Sequence, residues 1–230
     1  MDIVEEFDEW AKVGRDQGME TRHWHTAKHA IAAMPIEPGD GVLDLGTGSG
    51  YALRAISERR PIAYGIGVDA SGQMLRNAAS YTEDASLHFV QAPFESLPIA
   101  DDTIDHVFSM EAFYYAKEPH TALSELHRVL KPGGTVHCAV NFFDESEHTH
   151  EWQDSIPVEM TLWDRAQYRA AFRAAGFAVA TQRCIPDMET AIPPEEEFPT
   201  DTWESRDAMV DRYRRWGTLL TVGVACLHEP

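Results

Sequence analysis

Apolar positions follow two alternating patterns from about residue 40 to the end of the chain. Short runs rich in Val, Ile, Leu and Phe, bounded by Gly, Pro or Asp, are typical of buried strands. The longer segments between them place apolar residues three or four positions apart, as an amphipathic helix does. Strands that alternate with helices predict an α/β protein with a largely parallel sheet. The predicted strands are 41–45, 64–69, 87–91, 104–110, 135–142, 177–185 and 218–227, and the predicted helices between them are 49–59, 71–81, 119–130, 161–175 and 203–216.

The segment before the first strand has helical periodicity throughout. Phe7, Trp10 and Val13 share one face of a first helix, and a second helix is predicted over 21–34. Pro35 ends the second helix, because proline disfavours the helical conformation of the residue before it. We therefore predict a pair of N-terminal helices in front of the sheet.

The charge of the chain is unusual for its length of 230 residues. The formal net charge is −19, and only four of the nineteen basic residues are lysines. Such a field repels phosphate backbones, so nucleic acid is not expected as a partner. A negative, lysine-poor surface favours a halophilic habitat, where salt screens the self-repulsion; an acidic protein of ordinary habitat is an equal alternative.

The chain shows no targeting pattern. Residues 1–6 are acidic and lack an apolar run, so no signal peptide is predicted, and no apolar stretch reaches the length of a membrane span. Cys138, Cys184 and Cys226 lie far apart in apolar runs and are predicted to be reduced and buried. Together these features predict a cytoplasmic protein.

The segment 41–50 carries the clearest chemical signal. It predicts a buried strand, a turn with glycines at 46, 48 and 50, and the start of a helix. Bare backbone at such a turn lets a ligand approach closely. The spacing G-x-G-x-G differs from the dinucleotide pattern G-x-G-x-x-G, whose last position is Tyr51 here. Asp44 would repel a diphosphate but could accept a hydrogen bond from an ammonium group, and Asp69, at the end of the second strand, is placed to hold the hydroxyls of a ribose. A cationic nucleoside therefore fits better than NAD.

These residues resemble motif I and the ribose-binding acid of the class I S-adenosylmethionine-dependent methyltransferases, and 128–134 is similar to the turn that precedes strand five in that family. The resemblance implies an α/β fold with a Rossmann-like, doubly wound, seven-stranded sheet, mostly parallel with one antiparallel strand. It also implies that residues 1–38 form an N-terminal helical lid over the cofactor. Residues 39–230 would then be the methyltransferase domain, with an insertion at 186–216 before the last strand, so that the chain is effectively a single domain.

The resemblance also implies a set of cofactor contacts. Met74 would lie against the adenine ring, and the segment around Phe94 and Glu95 would read its edge, although Pro93 stands where the family usually has an acid. The residues expected to bind S-adenosyl-L-methionine are Asp44, Gly46, Thr47, Gly48, Gly50, Asp69, Ala70, Met74, Phe94, Glu95, Ser109 and Met110.

The residues after the fourth strand are the candidates for methyl transfer. Glu111 is followed by three aromatic residues, and both a carboxylate and aromatic faces favour a sulfonium nearby. Glu111 and Tyr114 are the candidate catalytic residues, with Glu111 as a general base; the alternative is that Glu111 caps the next helix while the aromatic residues pack. The candidate substrate contacts are His25, Tyr115 and Phe143. His25 and His29 share a helix face, but a third ligand is not evident, so no metal is predicted.

The sequence thus predicts an enzyme that transfers a methyl group in line from S-adenosylmethionine to an O, N or C atom of a small-molecule acceptor. A small molecule is the only partner expected, and the oligomeric state is left open. Two alternatives are a catalytically silent cofactor-binding module and, less favoured, a NAD-dependent Rossmann oxidoreductase.

Overall fold

Seven strands form one sheet in the order β3-β2-β1-β4-β5-β7-β6. The computed structural model describes residues 3–156 and 158–227. β1 to β5 pair in parallel, and β7 is antiparallel to both of its neighbours, β5 and β6. The predicted doubly wound sheet with one antiparallel strand is therefore confirmed. The strands are β1 (Gly41–Leu45), β2 (Tyr64–Asp69), β3 (Leu87–Gln91), β4 (Ile104–Met110), β5 (Leu130–Val140), β6 (Phe177–Ile185) and β7 (Thr218–Ala225).

Helices cover both faces of this sheet, because residues on the central strands are buried on alternate sides. Val42 and Phe108 pack in a cluster with the helices before and after β1, whereas Leu43 and Val107 pack on the opposite face with Leu123. The helices are α1 (Ile3–Lys12), α2 (Arg15–Ala32), α3 (Tyr51–Arg59), α4 (Gly72–Ser80), α5 (Pro119–Val129), α6 (Trp152–Ser155), α7 (Arg165–Ala174) and α8 (Arg206–Val210). None of the helices in these two described ranges combines the length and the apolar character that crossing a bilayer requires.

The two N-terminal helices are attached to the N-terminal half of the sheet through α4. Asp8 of α1 accepts hydrogen bonds from the Ser71 hydroxyl at 2.5 Å and from the backbone N–H of Gln73 at 3.0 Å. A carboxylate at the start of a helix is favoured by the helix dipole. Asn77 of α4 donates from Nδ2 to the Ala11 carbonyl and to Asp16. These contacts hold the helix pair beside the carboxyl ends of β1 and β2.

Several element boundaries differ from the sequence-based prediction; α2, for example, begins at Arg15 rather than at 21. The helix predicted from 161 begins at Arg165, because Asp164 and Gln167 form a reciprocal capping box in which each side chain accepts the other residue's N–H. β5 begins at Leu130 rather than at 135, because Leu130 already pairs with Ile104 across an irregular register.

The last predicted helix is shorter and less regular than its apolar pattern suggested. It begins at Arg206, where the Ser205 hydroxyl accepts the N–H of Ala208, and continues through 211–216 as a π-helical turn. The cysteine prediction also holds only in part: Cys138 is buried, Cys184 is half-buried and Cys226 is exposed.

Candidate active site

The glycine turn after β1 is held by backbone hydrogen bonds, and neighbouring side chains leave no room for a Cβ at two of its three glycines, Gly46 and Gly50. The N–H groups of Gly46 and Thr47 donate to the Val68 carbonyl at 2.8 and 3.0 Å. Gly46 has φ +75°, and a Cβ there would lie 2.1 Å from the Ala112 Cβ. Gly48 has φ +51°, yet a Cβ there would meet nothing within 4 Å. The turn is thus packed from behind at Gly46 and open in front at Gly48.

Asp69 at the end of β2 organises this turn. Its Oδ2 accepts the N–H of Gly48 at 2.9 Å, and its Oδ1 accepts the N–H of Ser71 at 2.9 Å. Burial raises the pKa of Asp69, while these backbone N–H groups oppose the rise. Each oxygen still has a lone pair available. The carboxylate can therefore accept further hydrogen bonds from a pair of hydroxyls on a ligand.

A cavity of about 340 Å³ lies in front of the glycine turn. It is bounded by the carboxyl ends of β2 and β4, by the segment after β3 and by the two N-terminal helices. This is the position at which open α/β sheets bind ligands. Of the predicted site residues, the cavity lining includes Gly46, Thr47, Gly48, Asp69, Ala70, Met74, Phe94, Glu95, Met110, Glu111 and Tyr115.

The lining near β3 is apolar and provides the surface for a flat ring. Met74 and Phe94 both contribute to this lining. Their contact with adenine stays a prediction. Glu95 also borders the cavity, but its Oε1 already accepts the N–H of Glu118 at 3.0 Å. Its use as an acceptor for an exocyclic amine stays a prediction.

Three predicted cofactor contacts lie behind the cavity wall rather than in it. Asp44 is buried, and its Oδ2 accepts the hydroxyl of Thr47 at 2.7 Å. Ser109 donates its hydroxyl to the Leu45 carbonyl at 2.9 Å, and a Cβ on Gly50 would press on the Phe89 ring. Burial raises the pKa of Asp44 to about 7, with Thr47 opposing the rise. These three residues therefore stabilise the cavity wall from behind, and the Asp44 carboxylate does not line the cavity.

Glu111 is buried at the cavity wall in an unusual backbone conformation, with φ +54°. Its Oε1 accepts the N–H of Asn141, and its Oε2 is 3.3 Å from the hydroxyl of Tyr114, which donates to it. Burial raises the pKa of Glu111 to about 7, and the Arg212 guanidinium is the leading influence in the opposite direction. A non-glycine residue in the left-handed region is costly, so the surrounding contacts must hold it there. This carboxyl can exchange a proton near neutral pH.

Four aromatic and histidine candidates separate into one that reaches the cavity and three that do not. Tyr115 lines it and packs edge-on against Phe7 of α1, with ring centroids 5.0 Å apart. Tyr114 is buried beside Tyr115 and supports Glu111 from behind. Phe143 is a core residue. His25 bonds to Asp187 at 3.2 Å, outside this cavity.

The wall that the N-terminal helices provide was predicted only in part. Of the α2 residues expected to form it, Met19 and Glu20 line the cavity, whereas Arg22, His25 and His29 do not. Phe7 was recognised only as part of an apolar stripe, and His23 was not singled out at all. Burial lowers the pKa of His23 to about 4, so this side chain stays neutral at physiological pH. Helical periodicity predicts that such residues face inward, but it does not show which element they contact. The cavity residues from α1 and α2 are Ile3, Val4, Phe7, Asp16, Met19, Glu20 and His23.

Comparisons with known proteins agree with this geometry. A family model described as a methyltransferase domain matches residues 43–138. The malonyl-[acyl-carrier protein] O-methyltransferase of Marinomonas sp. (strain MWYL1) is 37% identical over 139 residues, which are 54% of this chain and 52% of that protein. The chain spans about half the length of this and of another curated relative it matches.

Solved structures extend the similarity to nearly the whole chain. One is the methyltransferase chain of a complex with the Haloferax volcanii Trm112 methyltransferase activator, which is 58% identical, has a TM-score of 0.95 and covers 96% of this chain and 98% of that one. A geranyl diphosphate methyltransferase in complex with SAM has a TM-score of 0.66 over 87% of this chain and 83% of that one; at 16% identity it supports the fold alone.

The Haloferax complex corrects one prediction from the sequence. A small molecule was expected to be the only partner, but a protein 58% identical to this chain is bound to a protein activator. Composition and motifs describe the charge and the cofactor turn, and neither reveals which surface patch is complementary to another protein. From its glycine turn, its strand order and these relatives, the chain belongs to the class I S-adenosylmethionine-dependent methyltransferases.

Proposed function

We propose that this enzyme transfers the methyl group of S-adenosylmethionine to an O, N or C nucleophile of a small-molecule acceptor that enters beneath the N-terminal helices. The observation that carries the proposal is the placement of Glu111 on the same cavity as the open face of Gly48 and the Asp69 carboxylate. One cavity thus joins a nucleoside-binding turn to a group that can take up a proton.

The residues present fit the cofactor. The space in front of Gly48 admits a ligand against bare backbone, Asp69 has acceptor capacity for two ribose hydroxyls, and Met74 provides a flat apolar contact for adenine. When bound, S-adenosylmethionine supplies a methyl group activated by a sulfonium. Carboxylates and aromatic rings around the cavity favour that positive charge.

Glu111 is the proposed general base. In its ionised form the carboxylate can accept the proton that the acceptor nucleophile loses, and the Tyr114 hydroxyl orients it. The N-terminal helices exclude water from this side of the cavity, and Tyr115 with Phe7 forms a wall against which the acceptor can be positioned.

Replacing Glu111 with Gln tests this role through the pH dependence of turnover. The base must be deprotonated, so in the wild-type enzyme kcat should rise about tenfold per pH unit below pH 7 and level off above the pKa of about 7. Glu111→Gln should lower the plateau by roughly 10²-fold to 10⁴-fold and abolish the slope. A variant of the exposed Glu118, Glu118→Gln, removes the same charge nearby and should keep the wild-type profile. An unchanged slope in Glu111→Gln would rule out the base role.

The same raised pKa has a consequence for stability with a defined sign. The folded state holds the Glu111 proton up to pH about 7, whereas the unfolded chain releases it near 4.5. The stabilising contribution of the protonated form is therefore complete below about 4.5 and is lost as the pH rises to 7. Glu111→Gln should flatten this part of the curve of unfolding free energy against pH.

We further propose that the enzyme works with a protein activator of the Trm112 type and in high salt. The relative from Haloferax volcanii supports the first point, and the net charge of −19 supports the second, because screening reduces self-repulsion. A partner that binds only the folded state also stabilises it by mass action.

The test is to purify the chain alone and after co-expression with a Trm112-type protein, each in 0.1 M and in 2 M KCl. Calorimetry should show that the chain binds S-adenosylmethionine and does not bind NAD. Incubation with a panel of O, N and C acceptors should then form S-adenosylhomocysteine, and the co-purified sample in 2 M salt should be the most active. Binding without turnover on any acceptor would favour the silent module. If the folded protein bound neither nucleotide in any sample, the proposed function would be wrong.

A further inference from the structure

We propose that Glu20 of α2 is the carboxylate that recognises the α-ammonium group of the cofactor's amino-acid tail, and that this contact draws α2 onto the glycine turn. This inference rests on the proposed function, since it assigns a further positioning residue to the same cavity. It replaces a role that the sequence suggested for Asp44.

One end of the cavity is suited to the charged amino-acid tail of the cofactor. Asp69 faces the ribose position, and Met74 and Phe94 form the apolar end beside β3. The remaining end of the cavity is formed by Ser49 and Tyr51 at the start of α3, together with the facing side of α2. The unpaired N–H groups and positive dipole at the start of a helix favour a carboxylate. The α-carboxylate of the tail therefore fits this end, and its ammonium must lie beside it.

Two acids, Asp44 and Glu20, are the candidate partners for that ammonium. Asp44 is behind the wall and is occupied by the Thr47 hydroxyl. Glu20 lies on the cavity itself, and its Oε2 accepts from the Ser49 hydroxyl at 3.2 Å and from Arg54 Nη2 at 3.2 Å. Both bonds use the same oxygen, so Oε1 retains its acceptor capacity. Of these two acids, only Glu20 lines the cavity, so its free oxygen is the one that an ammonium there can contact.

The Glu20 side chain is fixed in place by Arg54. Arg54 donates from Nη1 to the Ser49 carbonyl at 2.6 Å and from Nη2 to Glu20 at 3.2 Å. One guanidinium therefore links the Glu20 carboxylate of α2 to the glycine turn. The hydroxyl of Tyr51 is buried and makes no hydrogen bond within the two ranges that the structure describes. Burial raises the pKa of Tyr51, and the carboxylates of Asp44, Glu111 and Glu20 raise it further. A charged tail at this end would bridge the turn to α2 through Glu20.

The test compares two neutral thioethers that differ in this tail. S-adenosylhomocysteine carries the complete amino-acid group, and 5′-methylthioadenosine lacks it, while adenine, ribose and an uncharged sulfur are common to both. Calorimetry should show that Glu20→Gln weakens the binding of S-adenosylhomocysteine by about tenfold and leaves the affinity for 5′-methylthioadenosine unchanged. Gln preserves an acceptor for Ser49 and Arg54, so folding should be retained. The matched control is Glu58→Gln, which removes one charge from the exposed side of α3 and should change neither affinity.

Hydrogen exchange of the α2 amides provides a second readout that does not depend on turnover. In the wild type, S-adenosylhomocysteine should slow exchange in α2 and 5′-methylthioadenosine should not; in Glu20→Gln the two ligands should behave alike. Equal losses for both ligands, or no loss for either, would overturn the assignment of Glu20. Absence of any S-adenosylhomocysteine binding by the wild type would instead contradict the proposed function.

Discussion

Gly46→Ala is expected to destabilise the fold by about 3–5 kcal/mol, because two penalties coincide at this position. The residue has φ +75°, which an L-amino acid adopts only at a cost, and the new Cβ would lie 2.1 Å from the Ala112 Cβ. The neighbour cannot yield easily, since Ala112 is buried directly after Glu111. Urea unfolding monitored by circular dichroism would measure the loss.

Gly48→Ala is the matched comparison, and it separates stability from binding. It has a positive φ of 51°, but its Cβ would meet nothing within 4 Å, so the cost should be only about 1 kcal/mol. The same Cβ would project into the space proposed for the cofactor and should weaken the binding of S-adenosylmethionine by about tenfold or more. If both variants unfolded at the same urea concentration, the packing of Gly46 against Ala112 would be wrong. Full affinity in Gly48→Ala would place the cofactor elsewhere.

Asp69→Ala is expected to weaken the binding of S-adenosylmethionine by roughly 10-fold to 100-fold. This corresponds to about 1–3 kcal/mol of binding free energy for the lost charged hydrogen bonds. The carboxylate is proposed to hold the ribose, and it also accepts the N–H of Gly48, so its removal loosens the turn as well as the ligand contact. Calorimetric titration under conditions in which the variant is folded gives the affinity directly.

The control for Asp69→Ala is Asp84→Ala. Asp84 is an exposed acid that accepts bonds from Ser86 in the connection before β3, so its loss changes the net charge by the same amount away from the cavity. Its affinity should equal that of the wild type. Unchanged affinity in Asp69→Ala would remove the ribose assignment, and equal weakening in both variants would point to the overall field of the protein instead.

Local patterns were sufficient for the sheet and for the cofactor turn. A buried strand of five residues followed by G-x-G-x-G specifies its own geometry, because only glycine accepts the positive φ values and the close approach of Ala112. The acid that ends β2 lies beside that turn when the two strands pair in parallel, so the position of Asp69 could be predicted from spacing alone. The hydrophobic periodicity located each central strand to within a few residues.

Local patterns were not sufficient for the direction of a side chain within a motif. Asp44 was expected to face the ligand, but its position on β1 turns it inward, where the Thr47 hydroxyl satisfies it. The boundary of α7 failed for a related reason, since the capping box of Asp164 and Gln167 outcompeted the threonine three residues earlier. In both cases a hydrogen bond between two residues three positions apart decided the local structure.

The sequence by itself determined the family, the order of the secondary structure and the residues of the glycine turn, because these depend on contacts between residues that are close along the chain. Only the tertiary structure decided which face of the N-terminal helices lines the cavity, that Glu20 and not Asp44 lies on its surface, and that burial raises the pKa of Glu111 to about 7. Those features arise where segments 30 to 100 residues apart meet, and burial and pairing there depend on every surrounding element at once.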